Sequence, residues 1–131
     1  MKKAMQEILC ARSPAVLTCA ELRRTVAFYQ SQWGFAVRHH ITGVIAILHR
    51  ESVTVQLWQR RADMAPEPIA CRLLVDCLCQ WRAVLRSAPG QTPPTLLTQD
   101  WGMEWGISDC DGNRLLLVQS APHAARRRAG S

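Results

Sequence analysis

One order of patterns occurs twice in this 131-residue sequence: a short strand, an amphipathic helix and three further strands. The first occurrence spans residues 14–60 and the second spans residues 69–119, with a charged, proline-bearing linker at 61–68. A helix with a single apolar stripe must bury that stripe, and the face of a sheet is where it does so. The sequence therefore predicts an α+β fold, in which two βαβββ modules form an open antiparallel sheet with helices on its outer face. The uncovered face is expected to curve into a cup.

The two predicted helices each carry one apolar stripe at helical spacing. The stripe of the first helix consists of Leu22, Val26, Tyr29 and Trp33. The stripe of the second helix consists of Leu78, Trp81, Leu85 and Ala88. Gly34 is a natural stop for the first helix, and Asp76 resembles an N-cap of the second. The two stripes predict that Trp33 and Trp81 are core residues.

The chain closes with a predicted hairpin. Apolar residues alternate with small or polar ones before the turn, namely Met103, Trp105 and Ile107. Residues 109–113 then supply Asp, Gly and Asn, which favour a tight turn, and the apolar run at 115–118 is typical of a covered strand. We therefore expect Trp105 to lie in the core.

Composition favours a soluble globular protein in the cytoplasm. No apolar run approaches the roughly 18 residues that a membrane-spanning helix needs. The net charge is +6, and the arginines at 126–128 supply three of these charges. We interpret residues 120–131 as a basic flexible tail, and the chain shows no motif for specific nucleic-acid binding. Residues 1–13 form an N-terminal arm that could be a short helix, an extra strand or a segment reaching a partner subunit.

The cysteines indicate neither a disulfide framework nor a zinc site. They are Cys10, Cys19, Cys71, Cys77, Cys79 and Cys110, and they include no Cys-x-x-Cys pair. Four of them stand inside apolar strand or helix patterns, so we expect buried free thiols. Cys110, in the predicted turn, is expected to be the most exposed.

Several motifs in this order resemble the vicinal oxygen chelate superfamily, which includes glyoxalases, extradiol dioxygenases and bleomycin-resistance proteins. They are Glu-Leu-Arg-Arg-Thr-Val-Ala-Phe-Tyr at 21–29, Trp-Gly-Phe at 33–35, the strand at 47–58, Trp-Gly-Met-Glu-Trp at 101–105 and Asp-Cys-Asp-Gly-Asn at 109–113. The similarity covers roughly residues 14–119. One departure is Cys110, because the family usually has proline there.

The resemblance also gives the positions at which metal-binding members carry their ligands. Counted from the motifs, these positions are occupied by Pro14, Gln56, Ala70 and Leu116. None is a histidine or a carboxylate, and Pro, Ala and Leu side chains offer no donor to a divalent metal. The chain is therefore similar to the bleomycin-resistance branch, whose members are metal-free dimeric cups that sequester a drug. We expect no metal and no cofactor.

Six residues are the candidate ligand-binding residues of the cup: Trp101, Trp58, Gln56, Arg72, Glu104 and His40. The resemblance places a stacking tryptophan at Trp101. Trp58 is in phase with Gln56 and would line the same cavity, although either tryptophan could equally fill a subunit interface. Arg72 should face the cup and either pair with Glu104 or meet an anionic ligand.

Two adjacent histidines occupy the second predicted strand, at 35–40. Neighbouring strand residues point to opposite faces, so at most one of His39 and His40 reaches the cup. We assign that position to His40. A lone histidine in a strand is more often structural than catalytic.

The leading hypothesis is a homodimeric, metal-free protein that binds and sequesters a small planar aromatic molecule, such as an antibiotic. Because the chain is basic, the ligand is expected to be neutral or anionic. The alternative is a glyoxalase- or dioxygenase-type lyase or isomerase of the same fold, with a non-standard metal or with acid–base chemistry by Glu104 or His40. A third hypothesis is a cup that is filled by another protein chain.

Overall fold

The computed structural model describes residues 6–10, 14–65 and 67–120. Its elements in chain order are β1 Gln6–Cys10, β2 Ala15–Cys19, α1 Leu22–Trp33, β3 Ala36–Ile41, β4 Ile45–Arg50, β5 Val53–Gln59, β6 Ile69–Leu74, α2 Leu78–Arg82, β7 Thr95–Gln99, β8 Gly102–Ser108 and β9 Arg114–Ser120. The elements from β2 to β5 repeat in type and order from β6 to β9. The predicted α+β architecture with two βαβββ modules is confirmed.

Each module builds its own sheet. The first sheet has the strand order β2-β5-β4-β3, and the second has the order β1-β6-β9-β8-β7. Both sheets are mixed rather than wholly antiparallel, because β2 runs parallel to β5 and β6 runs parallel to β9. The connectivity explains this difference from the expected sheet. In each module the helix returns the chain to the end of the sheet where the first strand began. Of the three antiparallel strands that follow, the last therefore runs in the same direction as the first strand.

The N-terminal arm contributes an extra strand, one of the three alternatives left open by the sequence. Its backbone at Gln6–Cys10 pairs in parallel with β6 and extends the second sheet by one strand. The predicted tail at 120–131 lies outside the described residues except for Ser120, which ends β9. Within the part of the chain that the structure describes, neither helix is long and apolar enough to cross a membrane.

The helix-facing sides of the two sheets share one core. All four stripe residues of α1 are buried, and Gly34 ends the helix with a left-handed φ of 68°. Trp33 and Trp81 are each 1% exposed, and Trp105 is 5% exposed. The Trp33 Nε1 donates to the backbone oxygen of Arg86 in the other module at 2.8 Å. The prediction that these three tryptophans are core residues is confirmed.

The second helix is shorter than its stripe predicts. It has 5 residues, and its N-cap is Cys77 rather than Asp76, without a side-chain capping hydrogen bond. Leu85 is fully buried and Ala88 is 5% exposed although both lie beyond the helix. The backbone N–H of Ala88 donates to the oxygen of Ser108 at 2.8 Å, so β8 holds this segment in place of a third helical turn.

The turn between β8 and β9 ties the second module to α1 of the first. The buried carboxylate of Asp109 accepts a hydrogen bond from Tyr29 Oη at 2.7 Å and further bonds from the backbone N–H groups of Asp111 and Asn113. Asp111 in turn accepts from the Thr25 hydroxyl and from the Arg24 guanidinium. Burial raises the pKa of Asp109 to about 6, against the opposing effect of these hydrogen bonds.

The cysteine side chains that the structure describes differ in exposure, and not all of them are buried. Cys19 and Cys71 are buried, as expected, whereas Cys79 is exposed and Cys77 is half-buried. The expectation that Cys110 is the most exposed is wrong, since it is half-buried and its thiol donates toward Thr25 Oγ1. A hydrogen bond from the Cys79 thiol lowers the pKa of Cys77.

Candidate functional site

The side of the first sheet that faces away from the helices presents two cross-strand rows, which we call the first face. In strand order, the rows are Val16, Gln56, Ile47 and His39, and Thr18, Trp58, Ile45 and Ile41. Residues opposite one another in a ladder share a face, so the register alone defines these rows. The first face is therefore mainly apolar, with one amide, one hydroxyl and one imidazole.

Trp58 is the largest side chain of the first face, and it is 40% exposed. Its Nε1 donates to Gln56 Oε1 at 3.1 Å, which orients the indole along the strand and leaves the amide nitrogen of Gln56 available as a donor. Val16 and Ile41, at 47% exposure each, lie on the same face as Trp58. An indole whose own N–H is satisfied presents its apolar ring to whatever covers this face.

The placement of His40 in the cup is wrong. His40 pairs with Ala46, which is fully buried on the helix side, whereas His39 pairs with Ile47 on the first face. A register shift between Val37 and His39 causes the exchange, because one extra residue reverses the alternation of the strand. His40 instead lines an open pocket with residues at the start of α1, including Glu21 and Arg23.

The corresponding side of the second sheet, the second face, is charged. Its rows are Arg72, Leu116, Gly106 and Thr95; Leu74, Val118, Glu104 and Leu97; and Ala70, Arg114 and Ser108. The Nε of Arg72 donates to Glu104 Oε1 at 2.9 Å, so this side chain reaches across β9 to a strand that it does not adjoin. The predicted pairing of Arg72 with Glu104 is confirmed.

Arg114 is a residue of this face that the sequence interpretation missed. Its guanidinium donates to Ser108 Oγ and to Thr95 Oγ1, both at 2.8 Å, and thereby crosses β8 above Gly106. A Cβ at Gly106 would lie 2.5 Å from Arg114 Nη2, so the glycine makes room for the side chain. Burial lowers the pKa of Arg114, and the carboxylate of Glu104 opposes that effect. Arg114 stands two residues before Leu116 in the same strand and therefore shares its face. This spacing is the sequence signal that could have identified Arg114.

The predicted site residues therefore form two pairs and two separate residues. Gln56 with Trp58 belongs to the first face, and Arg72 with Glu104 belongs to the second. Trp101 is 45% exposed in the turn between β7 and β8, and among the described residues no hydrogen bond joins it to either pair. His40 lies on the far side of the first sheet.

The positions that would hold a metal ion in the superfamily do not fit one here. Ala70 and Leu116 lie on the second face, as the counting from the motifs implied, but their side chains carry no donor atom. The Oε1 of Gln56 already accepts a hydrogen bond from Trp58. Across the described residues there is no group of three or more His, Cys, Asp or Glu side chains arranged to hold a metal.

No family model matches the sequence, and no curated protein matches it. Solved structures do. A bleomycin resistance determinant encoded on the transposon Tn5 is 22% identical, with a TM-score of 0.67 over 86% of this chain and 100% of that one. A bleomycin-binding protein from Streptomyces verticillus, complexed with copper(II)-bleomycin, is 15% identical, with a TM-score of 0.65 over 92% of this chain and 100% of that one.

A lactoylglutathione lyase from Agrobacterium tumefaciens is 16% identical, with a TM-score of 0.61 over 90% of this chain and 94% of that one. Binding proteins and an enzyme thus share this architecture. The resemblance to the vicinal oxygen chelate superfamily is confirmed at the level of the fold, and identities this low leave the ligand to be argued from the chain's own residues.

Proposed function

Because the chain has the vicinal oxygen chelate fold and exposes an apolar face that carries Trp58, we propose that it binds and sequesters a small, partly planar molecule that is neutral or anionic. Binding would need no metal, since the superfamily's ligand positions hold Gln56, Ala70 and Leu116. An antibiotic is one class of ligand that fits this description. The proposal concerns binding and retention of the molecule rather than its conversion.

The observation that carries the proposal is the exposed apolar surface of the first face, which includes Trp58. Val16, Trp58 and Ile41 are each 40% exposed or more, and all three stand on one face of one sheet. Large apolar side chains gathered on one exposed surface mark a ligand site or a subunit interface more often than an inert surface. A planar ring stacked on the indole would cover this area, with the free amide N–H of Gln56 as a polar anchor.

The charge of the second face supports a neutral or anionic ligand. Among the side chains of this face that the structure describes, two guanidinium groups stand near one buried carboxylate, and Arg114 donates to the neutral hydroxyls of Ser108 and Thr95. A cationic ligand would meet unfavourable charge here. A carboxylate or a phosphate would be attracted, because a guanidinium keeps its proton in any protein environment.

We also propose that two copies of the chain form the complete site. The two faces belong to different sheets, and every residue of the outer strands β3 and β7 is exposed. A symmetric dimer covers such edges and apolar surface in one contact. Sedimentation equilibrium measures this directly, and a monomer at concentrations where ligand binds would contradict it.

The lyase or isomerase alternative has weaker geometric support. Glu104 accepts a hydrogen bond from Arg72, and His40 lies on the helix side of the other sheet. These two residues therefore cannot act together on one substrate as an acid and a base. The similarity to lactoylglutathione lyase concerns the fold alone.

Quenching of tryptophan fluorescence tests the proposal. Three matched probes share one planar ring: 2-naphthoate, 2-naphthamide and 2-naphthylmethylamine. Saturable quenching by the carboxylate and the amide, and weaker quenching by the amine, is the expected result. Trp58→Ala should weaken binding about tenfold, as expected for the loss of one stacked aromatic pair.

Two variants complete this experiment. Trp101→Ala asks whether the tryptophan in the β7–β8 turn also contributes, and Val84→Ala removes an apolar side chain that is 53% exposed outside both faces. Val84→Ala should bind like the unmodified protein. If no probe binds saturably, or if the amine binds most tightly, the proposed function is wrong.

A further inference from the structure

The two thiols at the start of α2 form a surface pair that neither face uses. Cys77 Sγ and Cys79 Sγ lie 3.4 Å apart and are joined by a thiol hydrogen bond. Cys79 is exposed and Cys77 is half-buried, so solvent reaches the pair. The two side chains lie on the same side of the start of α2. Cys77 has an extended backbone, and the helix begins at the next residue, Leu78. A reagent with two coordination positions for sulfur could bind both thiols without a change in backbone conformation.

From this geometry we propose that Cys77 and Cys79 are a chelating dithiol site for a trivalent arsenical that carries one organic substituent. The 3.4 Å sulfur separation suits an atom whose bonds stand near right angles better than a linear two-coordinate ion, which at about 2.3 Å per bond would need the sulfurs about 4.6 Å apart. A tetrahedral ion would need two more protein donors. No group of three or more His, Cys, Asp or Glu side chains suited to a metal occurs among the described residues. The ligand must therefore bring its own third substituent.

Trivalent arsenic with one carbon substituent meets these requirements. It has two exchangeable positions, and its bonds stand close to right angles, so the two sulfurs remain near neighbours. In the reaction, two As–O bonds of the dihydroxy arsenical break and two As–S bonds form. The two thiol protons leave with the two hydroxides as water. Arsenic stays trivalent, and no oxidant or reductant takes part.

A groove beside the pair suits the organic substituent. It has a volume of about 530 Å³ and is lined by Cys79, Arg82, Ala83, Arg86, Pro94 and Trp105. Pro94 and the small exposed part of Trp105 are its apolar lining, and the two arginines line it as well. An aryl group on the arsenic would therefore gain contacts that a methyl group or a hydroxide would not.

Phenylarsine oxide is the probe for this site, used on the full chain with intact-mass spectrometry and a thiol titration. We expect one arsenical per chain, a loss of two titratable thiols, and an adduct that resists excess monothiol but not 2,3-dimercaptopropanol. Cys77→Ser and Cys79→Ser should each weaken the adduct about 100-fold or more, because each leaves only a single As–S bond. Arsenite should bind more weakly than the aryl compound.

The matched control is Cys110→Ser, which removes a half-buried thiol elsewhere and should leave the adduct unchanged. Both serine variants at 77 and 79 alter solvent-accessible positions, and circular dichroism checks that they fold. An adduct that survives both of these substitutions, or one that excess monothiol removes from the unmodified protein, would overturn the proposal. This test is independent of ligand binding on the first face.

Discussion

The two modules have the same topology but present different chemistry on their open faces. The first face carries Trp58, Gln56 and a set of aliphatic side chains, whereas the second carries Arg72, Glu104 and Arg114. On their helix-facing sides the modules are alike, since each places a fully buried tryptophan of its helix in the shared core. Packing constrains the shared core in both modules, and the open faces are free to differ. The difference between the faces therefore carries information about the ligand.

The two helices also differ in length, and buried residues that follow the shorter helix complete the core. The first helix has 12 residues and the second has 5. Beyond α2, Leu85 and Ala88 remain buried. The backbone N–H of Leu85 donates to the oxygen of Trp81, and that of Ala88 donates to the oxygen of Ser108 in β8. A module can thus lose most of a helix and still fill its half of the core, provided that the apolar side chains keep their places.

The largest predicted effect tests whether the core is shared. Trp33→Ala and Trp81→Ala should each lower the free energy of unfolding by about 3–5 kcal/mol, because each removes a fully buried indole. Urea denaturation followed by circular dichroism should show one transition for both variants. Two separated transitions, with only one of them shifted by each substitution, would show that the modules unfold independently.

The turn that joins the modules should make stability depend on pH. The pKa of Asp109 is raised from 3.8 in the unfolded chain to about 6 in the fold. The folded state therefore binds more protons between these values. The stability from this group is fully present below pH 3.8 and is lost as the pH rises through 6, by about 3 kcal/mol in all.

Comparison with Asp109→Asn isolates that contribution from the other carboxyl groups. The stability of the unmodified protein relative to the variant should fall between pH 4 and pH 7 in urea titrations. Tyr29→Phe removes a hydrogen bond that lowers this pKa, so the midpoint of the change should move to higher pH. A difference that stays constant with pH would contradict the assignment.

On the second face, Glu104→Gln should cost about 1–3 kcal/mol of stability. It weakens the 2.9 Å contact with Arg72 at a buried position. The matched control is Asp63→Asn, which breaks the Arg61–Asp63 pair, whose side chains are both 75% exposed. That change should stay within about 0.5 kcal/mol. Equal effects of the two substitutions, measured by urea denaturation, would show that the second face is not a desolvated charged surface.

A substitution on the first face should affect stability less than either core substitution. Trp58→Ala should lower the free energy of unfolding by about 1 kcal/mol, far less than Trp33→Ala, because its indole is 40% exposed. The same variant should bind the naphthalene probes about tenfold less tightly. A large loss of stability with unchanged binding would assign Trp58 to the core rather than to a ligand site.

Much of this molecule could be predicted from periodicity and turn chemistry. The helix from Leu22 to Trp33, the closing hairpin and the three core tryptophans follow from apolar spacing, which is a local property of the chain. The pairing of Arg72 with Glu104 could also be predicted, because a buried charge requires a partner. Arg114 was missed because its route across Gly106 depends on a neighbouring strand.

The amino-acid sequence by itself determined which residues face the core, since burying apolar side chains at a period of two or of 3.6 residues leaves few alternatives. The tertiary structure decided what occupies the open faces. Counting from Phe35 puts His40 on the open side of β3, but the irregularity between Val37 and His39 reverses the alternation and brings His39 there instead. The parallel pairing of β1 with β6 and the 3.4 Å approach of Cys77 to Cys79 were likewise settled only in three dimensions. Strand register and side-chain proximity arise from contacts between distant segments, and local spacing does not encode them.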